Sequence, residues 1–161
     1  EHRWRVGLGV VDVSAFAKVE VRGGDAPARA RAVRAARSVI PAGDACALCV
    51  GAPGDEARIL EGIPEALDAT HLYAGFLLVG PRLDELIPRL AAFDLARLEP
   101  GGGVATTVLE VRGLVRRAPD GLELYVGSEH ARYAAEALIS MAEELGGGPV
   151  GWRIAREEGW V

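Results

Sequence analysis

The sequence of 161 residues contains few lysine, cysteine and aromatic residues. Lys18 is its only lysine, and aromatic residues make up 6% of the chain. Its two cysteines are too few for a disulfide framework. No apolar run reaches the roughly 18–20 residues that a membrane-spanning helix needs. The net charge of −5 disfavours binding to nucleic acid or to an anionic membrane.

The remaining composition is typical of a globular protein. Half of the residues are hydrophobic and a quarter are charged, which are ordinary proportions for a folded domain. The length suits one ordinary domain or two very small ones. A basic start followed by an apolar stretch is not seen, so we expect a soluble, cytoplasmic protein without a signal peptide.

Local patterns predict a mixture of strands and helices. Short runs rich in valine and leucine between Gly and Pro residues predict strands at 5–13, 45–50, 71–79, 105–115 and 122–126. Apolar residues at helical spacing, or a high content of alanine and arginine, predict helices at 28–40, 55–67, 82–93 and 129–145. Residues 15–21 are ambiguous, and we expect 152–161 to add a strand or a tail.

Two parts of the chain follow the same order of predicted elements. Val50-Gly51 and Val126-Gly127 each end a strand that precedes an acidic amphipathic helix. A strand, a less regular helical region and a strand–turn–strand lie upstream in both parts. This order predicts an α+β fold of two degenerate β-α-β-β-α repeats, ferredoxin-like or microcompartment-domain-like. The first repeat occupies 1–69, and the second, with a C-terminal tail, occupies 70–161.

Several segments resemble bacterial microcompartment shell proteins, in particular the tandem-domain class whose trimers imitate a hexamer. Residues 9–14 (GVVDVS) resemble the opening strand of that family, and 24–30 (GDAPARA) resemble its alanine-aspartate-alanine helix motif. Residues 33–43 are similar to its second strand and pore loop, and 46–51 to its third strand. Residues 66–90 resemble the passage that joins two tandem domains.

The resemblance implies an architectural protein rather than an enzyme. Trimeric, pseudohexameric tiles would form the shell of a microcompartment in the cytoplasm, with a central pore for small metabolites and no cofactor or metal. The partners would be the chain itself, as a homotrimer, and other shell proteins, with no nucleic acid and no membrane. Arg29 would contact the neighbouring oligomer. The pore-lining residues would be Ile40, Pro41, Ala42, Gly43, Asp44, Arg117, Ala118, Pro119, Asp120 and Gly121.

Two other functions are compatible with the same elements. A duplicated ferredoxin-like regulatory module would bind a small metabolite at a subunit interface. A small α+β enzyme would hold its site in a cleft between subunits, although only isolated acids and His130 support that interpretation.

Cys46 and Cys49 form a C-x-x-C pair, but they lie in a predicted strand. Residues three apart on a strand point to opposite faces, so we interpret both as small buried residues rather than a redox or zinc site.

Overall fold

The computed structural model describes residues 3–91 and 94–161, which form two β-sheets packed face to face. The strands are β1 (Gly9–Asp12), β2 (Ala17–Arg22), β3 (Ser38–Pro41), β4 (Cys46–Gly51), β5 (Leu67–Asp68), β6 (Tyr73–Val79), β7 (Gly103–Val108), β8 (Val111–Ala118), β9 (Gly121–Gly127) and β10 (Gly148–Pro149). The α-helices are α1 (Ala26–Arg31), α2 (Glu56–Gly62), α3 (Leu83–Leu90), α4 (Ala131–Glu144) and α5 (Trp152–Glu157).

The two sheets differ in size and in the part of the chain that builds them. The six-stranded sheet has the order β10-β1-β6-β9-β8-β7, and the four-stranded sheet has the order β3-β4-β2-β5. Neighbouring strands are antiparallel, except that β10 runs parallel to β1. The first strand of the chain therefore lies in a sheet whose other strands come from residues 73–149.

Apolar side chains on alternating strand positions produce a four-layer arrangement. One hydrophobic cluster joins the six-stranded sheet to α3 and α4, and another joins the four-stranded sheet to α1 and α2. A third cluster lies between the sheets and includes residues of α5 and the C-terminal segment. Because successive side chains of a strand alternate between faces, each sheet has one face toward helices and one toward the other sheet.

The expectation of two ferredoxin-like repeats is wrong. β1 pairs with β6 and β10, whereas β2 belongs to the other sheet. The first predicted repeat is therefore divided between two sheets. The predicted strand at 105–115 is two strands, because Leu109 and Glu110 adopt positive φ angles of 49° and 63°. Two consecutive residues of this kind form the tight turn of a β-hairpin.

Other differences come from tertiary pairing that overrides local propensity. The predicted helix at 28–40 is helical only in α1, and its end becomes β3, which pairs with β4. Ile40 is fully buried there, since a strand lets it reach the layer between the sheets. The predicted added strand or tail at 152–161 begins instead with the helix α5.

The strongest periodic segments were predicted correctly. The strand at 45–50 is β4, the strand at 71–79 contains β6, and the strand at 122–126 lies in β9. The helix at 129–145 contains α4, and α3 forms despite an internal proline, Pro88. No helix of the described residues is long and apolar enough to cross a membrane.

Candidate functional site

A polar cleft opens at one end of the layer between the sheets. Its volume is about 500 Å³, and both sheets contribute to its walls. The strands β2 and β4 and the turn before β4 supply one wall, while β6, β8, the end of β9 and the short turn before α4 supply the other. The lining residues are Glu20, Arg22, Ala42, Cys46, Leu72, Tyr73, Arg112, Gly113, Leu114, Gly127, Ser128, Glu129 and His130.

Glu20 is the central acid of the cleft and is only 7% exposed. Its carboxylate accepts hydrogen bonds from the Tyr73 hydroxyl, at 3.2 Å, and from Nε of Arg22. The alternation of β2 explains this position: Val19 and Val21 pack toward the helices, so Glu20 and Arg22 face the other sheet. The carboxylate of Glu20 thus links the two sheets.

Neither the phenol of Tyr73 nor the thiol of Cys46 in the cleft is activated, and the same holds for the buried Cys49 on the opposite face of β4. Burial, reinforced by the charge of Glu20, raises the pKa of Tyr73 to about 12. Burial, followed by the charge of Glu20, also raises the pKa of Cys46, and burial raises that of Cys49 to about 11. The thiolate is the nucleophilic form of cysteine, so both side chains stay protonated and unreactive near neutral pH. The cleft can donate and accept hydrogen bonds, but neither Tyr73 nor Cys46 is an activated nucleophile.

A second polar cluster lies on the inner faces of β8 and β9. Glu123 is 2% exposed, and Oε1 accepts a hydrogen bond of 3.0 Å from Nη1 of Arg116. The fully buried Tyr125 donates its hydroxyl to Oε2 of Glu123 at 3.3 Å. Burial raises the pKa of Tyr125 well above its ordinary value. Arg116 and Tyr125 together supply a hydrogen bond to each oxygen of the buried carboxylate.

Lys18 is the third polar group on an inner face. The side chain is fully buried, and Nζ donates to the backbone oxygens of Ser14 (2.8 Å) and Phe16 (2.7 Å). Burial lowers the pKa of Lys18 from 10.5 to about 8, against the opposing charges of carboxylates on neighbouring segments, Glu56, Asp12 and Asp68. The chain's only lysine is therefore an interior structural group.

Lys18 should make the free energy of unfolding depend on pH in the alkaline range. Between pH 8 and 10.5 the unfolded chain holds a proton at Lys18 that the folded chain has released, so the free energy of unfolding rises with pH in that window. We expect the unfolding free energy of the native chain minus that of Lys18→Met to increase from pH 8 to 10.5. Urea unfolding of both proteins from pH 7 to 10.5 measures it. The other titrating groups contribute equally in both proteins and cancel in this difference. A difference that does not change with pH would contradict this role of Lys18.

The residues predicted to line a pore lie at two turns, one between β3 and β4 and one between β8 and β9, and these turns belong to different sheets. Ile40 is buried between the sheets, Ala42 borders the cleft, and Asp44 is exposed. Arg117 and Gly121 instead border a separate hollow of about 610 Å³ beside α3. The structure places the remaining turn residues around these: Pro41, Gly43, Ala118, Pro119 and Asp120.

Arg29, predicted to contact a neighbouring oligomer, is engaged within its own chain. Nη2 forms an ion pair with Glu65, and Nη1 donates to the backbone oxygen of Arg22 at 3.1 Å. Within the described ranges, no group of three or more potential metal-ligating side chains occurs. Cys46 and Cys49 occupy opposite faces of β4, and both are free thiols.

Sequence reasoning missed the acidic centre of the cleft. Lys18, Glu20 and Arg22 alternate with Val19 and Val21, and this alternation was visible in the segment that we found ambiguous. Charged residues at every second position of a strand indicate one polar face. Their burial depends on the opposite sheet, which no local pattern specifies.

Comparison with known proteins identifies the fold but no family. No family model and no curated protein matches the sequence. A chain of heterotetrameric sarcosine oxidase from Corynebacterium sp. U-96, in complex with pyrrole 2-carboxylate, matches with a TM-score of 0.73 and 13% identity, over 91% of this chain and 89% of that one. Aminomethyltransferase T of the glycine cleavage system from Bartonella henselae matches with a TM-score of 0.61 and 17% identity, over 85% of this chain and 46% of that one.

These likenesses overturn the resemblance to microcompartment shell proteins. The segments that suggested it were short, and the opening strand and the helix motif do not belong to one compact repeat in this structure. The predicted shell function, central pore and pseudohexameric tile are therefore wrong. The duplicated ferredoxin-like module is wrong as well, because it requires the two repeats. The fold is shared with a chain of sarcosine oxidase and with part of aminomethyltransferase T.

Proposed function

We propose that this chain is a non-catalytic subunit of a heteromeric enzyme that oxidises a small amino acid such as sarcosine. One observation carries the proposal: the chain and its counterpart in the heterotetrameric sarcosine oxidase overlap over nearly the same share of each, 91% and 89%. Two chains that overlap so evenly have similar lengths, so most of this chain corresponds to most of one chain of that assembly.

The chemistry of the cleft supports a role without catalysis. Tyr73 and Cys46 have raised pKa values, which oppose the charged forms that nucleophilic or basic catalysis requires. Glu20 is occupied by two hydrogen bonds from its own chain. The bond from Tyr73 joins the two sheets, which suits a subunit with a structural role.

The match to aminomethyltransferase T supports a group-transfer function less strongly than the match to sarcosine oxidase supports an oxidase subunit. This chain spans about half the length of aminomethyltransferase T, 46% of it. A chain of this size corresponds to only part of that enzyme. The match that covers most of both chains is therefore the better guide to function.

Purification from the native host tests the proposal. We expect a tagged chain to recover an oxidase subunit in a fixed molar ratio, with a single mass by native mass spectrometry. The purified chain alone should consume no oxygen with sarcosine, and the recovered complex should. A chain that remains alone in its host at native abundance, or that oxidises sarcosine unaided, would contradict the proposal.

A further inference from the structure

Two arginines enter the polar cleft from opposite sheets. Arg22 lies on the face of β2 that carries Glu20, and this face points toward the six-stranded sheet. Leu114 of β8 packs in the cluster between the sheets, so Arg112, two positions earlier on the same strand, faces the cleft as well. Both arginines therefore border the same volume of about 500 Å³.

Glu20 holds the guanidinium group of Arg22 in place. The Glu20 carboxylate accepts a hydrogen bond from Nε of Arg22 and another from the hydroxyl of Tyr73 on the opposite sheet. Among the residues that the structure describes, no further group bonds the Arg22 guanidinium, so its Nη1–Nη2 edge stays available. A guanidinium presents its donors as a planar fork that matches the two oxygens of a carboxylate. Arg22 is therefore preorganised to bind such a group.

Arg112 supplies the second cation of the cleft. Burial raises the pKa of Cys46 and of Tyr73, and the positive charge of Arg112 opposes that increase at both, so Arg112 lies near both side chains. It forms no hydrogen bond or ion pair with the part of the chain that the structure describes. The second acid of the cleft, Glu129, has a side chain that is 71% exposed and lies 3.7 Å from Nε2 of His130. Water and salt therefore screen its charge.

The walls of the cleft also offer apolar surface. Leu72 lines the cleft and is 57% exposed, and Ala42 and Leu114 line it from the two sheets. Sites for small molecules have volumes of roughly 300–1,000 Å³ and combine apolar walls with a few convergent polar groups. The lining of this cleft therefore fits a small molecule with one apolar end and one acidic end.

We propose that this cleft binds a small organic monocarboxylate. Its carboxylate lies between Arg22 and Arg112, and its apolar body contacts Leu72 and Leu114. Guanidinium groups form short, charge-assisted hydrogen bonds to carboxylates, often two at a time. All residues of the cleft belong to this one chain, so binding requires no oxidase subunit.

Titration of the purified chain with benzoate, followed by nuclear magnetic resonance, tests the site. Benzamide has the shape of benzoate without the charge, and inorganic phosphate has negative charge without an apolar body. We expect saturable changes of the Gly113 and Ser128 amide signals with benzoate, since both residues line the cleft. Binding should be at least about tenfold weaker for benzamide, which loses the charge-assisted hydrogen bonds, and for phosphate, which loses the apolar contacts.

Arg112→Gln tests whether the arginine recognises the carboxylate. We expect benzoate to bind this variant at least about tenfold more weakly, because a hydrogen-bonded charge is lost. Arg31→Gln is the matched control: Arg31 is exposed on α1, away from the cleft, and the variant loses the same charge. It should bind benzoate as the native chain does. Arg112 and Arg31 are both exposed, so both variants should fold, and circular dichroism checks this.

A native chain that shows no saturable response to benzoate overturns the proposed site. Equal binding of benzamide or phosphate overturns it too, as does an Arg112→Gln variant that binds benzoate as tightly as the native chain. If Arg112→Gln does not fold, the native chain decides alone. Signal changes centred on Gly113 and Ser128, with benzoate preferred over both other probes, then support the site, and changes confined to residues outside the cleft overturn it.

Discussion

Replacing Glu123 with alanine is expected to destabilise the chain by about 3–5 kcal/mol, because it leaves the buried Arg116 without its carboxylate. Glu123 is 2% exposed and the Arg116 side chain 11% exposed, with 3.0 Å between Oε1 and Nη1. Tyr125 loses its hydrogen-bond acceptor in the same variant. Urea unfolding at neutral pH measures the loss.

A double variant separates the ion pair from simple loss of volume. Glu123→Leu with Arg116→Met replaces both charges with apolar groups of similar size. It should cost less than the sum of the two single changes, because neither charge remains unpaired. A Glu123→Ala variant within about 1 kcal/mol of the native chain would show that Arg116 reaches water or another partner, and would contradict the account of this cluster.

The second large effect is expected at Gly147. A Cβ atom there would lie inside contact distance of the Leu8 carbonyl oxygen and 2.5 Å from the Leu8 nitrogen. The Gly147 N–H also donates to the oxygen of Ala142, which closes the end of α4. Both obstacles are backbone atoms, so Gly147→Ala should destabilise the chain by about 3 kcal/mol or more.

The neighbouring glycine is the matched control. Gly146 has a positive φ of 72°, and a Cβ atom there would meet nothing within 4 Å. Gly146→Ala should therefore cost only the left-handed backbone strain, about 1–2 kcal/mol. Thermal or urea unfolding of both variants measures the difference. Equal losses at the two positions would mean that β1 can move away from the end of α4, contrary to the close packing described.

Local sequence patterns were sufficient where periodicity was strong and continuous. The apolar run of β6 and the amphipathic face of α4 were predicted because each pattern is complete within one segment. Gly146 follows the end of α4 and adopts the left-handed conformation typical of that position.

The pairing of distant segments was not predictable in this way. The residues of β1 are compatible with pairing to β2 or to β6. Because β1 pairs with β6, the predicted repeat does not form. The cleft has the same origin, because Glu20 and Tyr73 are 53 residues apart and meet only when the sheets pack. The sequence resemblance to shell proteins rested on single segments, and those segments specify strands rather than the sheet that receives them.

We propose that the chain serves an amino-acid oxidase as a subunit without catalysing the reaction itself. Oxygen consumption with sarcosine, measured for the purified chain, for the isolated oxidase subunit and for the two combined, tests this most directly. The account predicts no activity from the chain alone and higher or longer-lasting activity from the combination than from the oxidase subunit alone. Activity of the chain by itself, or an oxidase subunit unaffected by its addition, would contradict the claim.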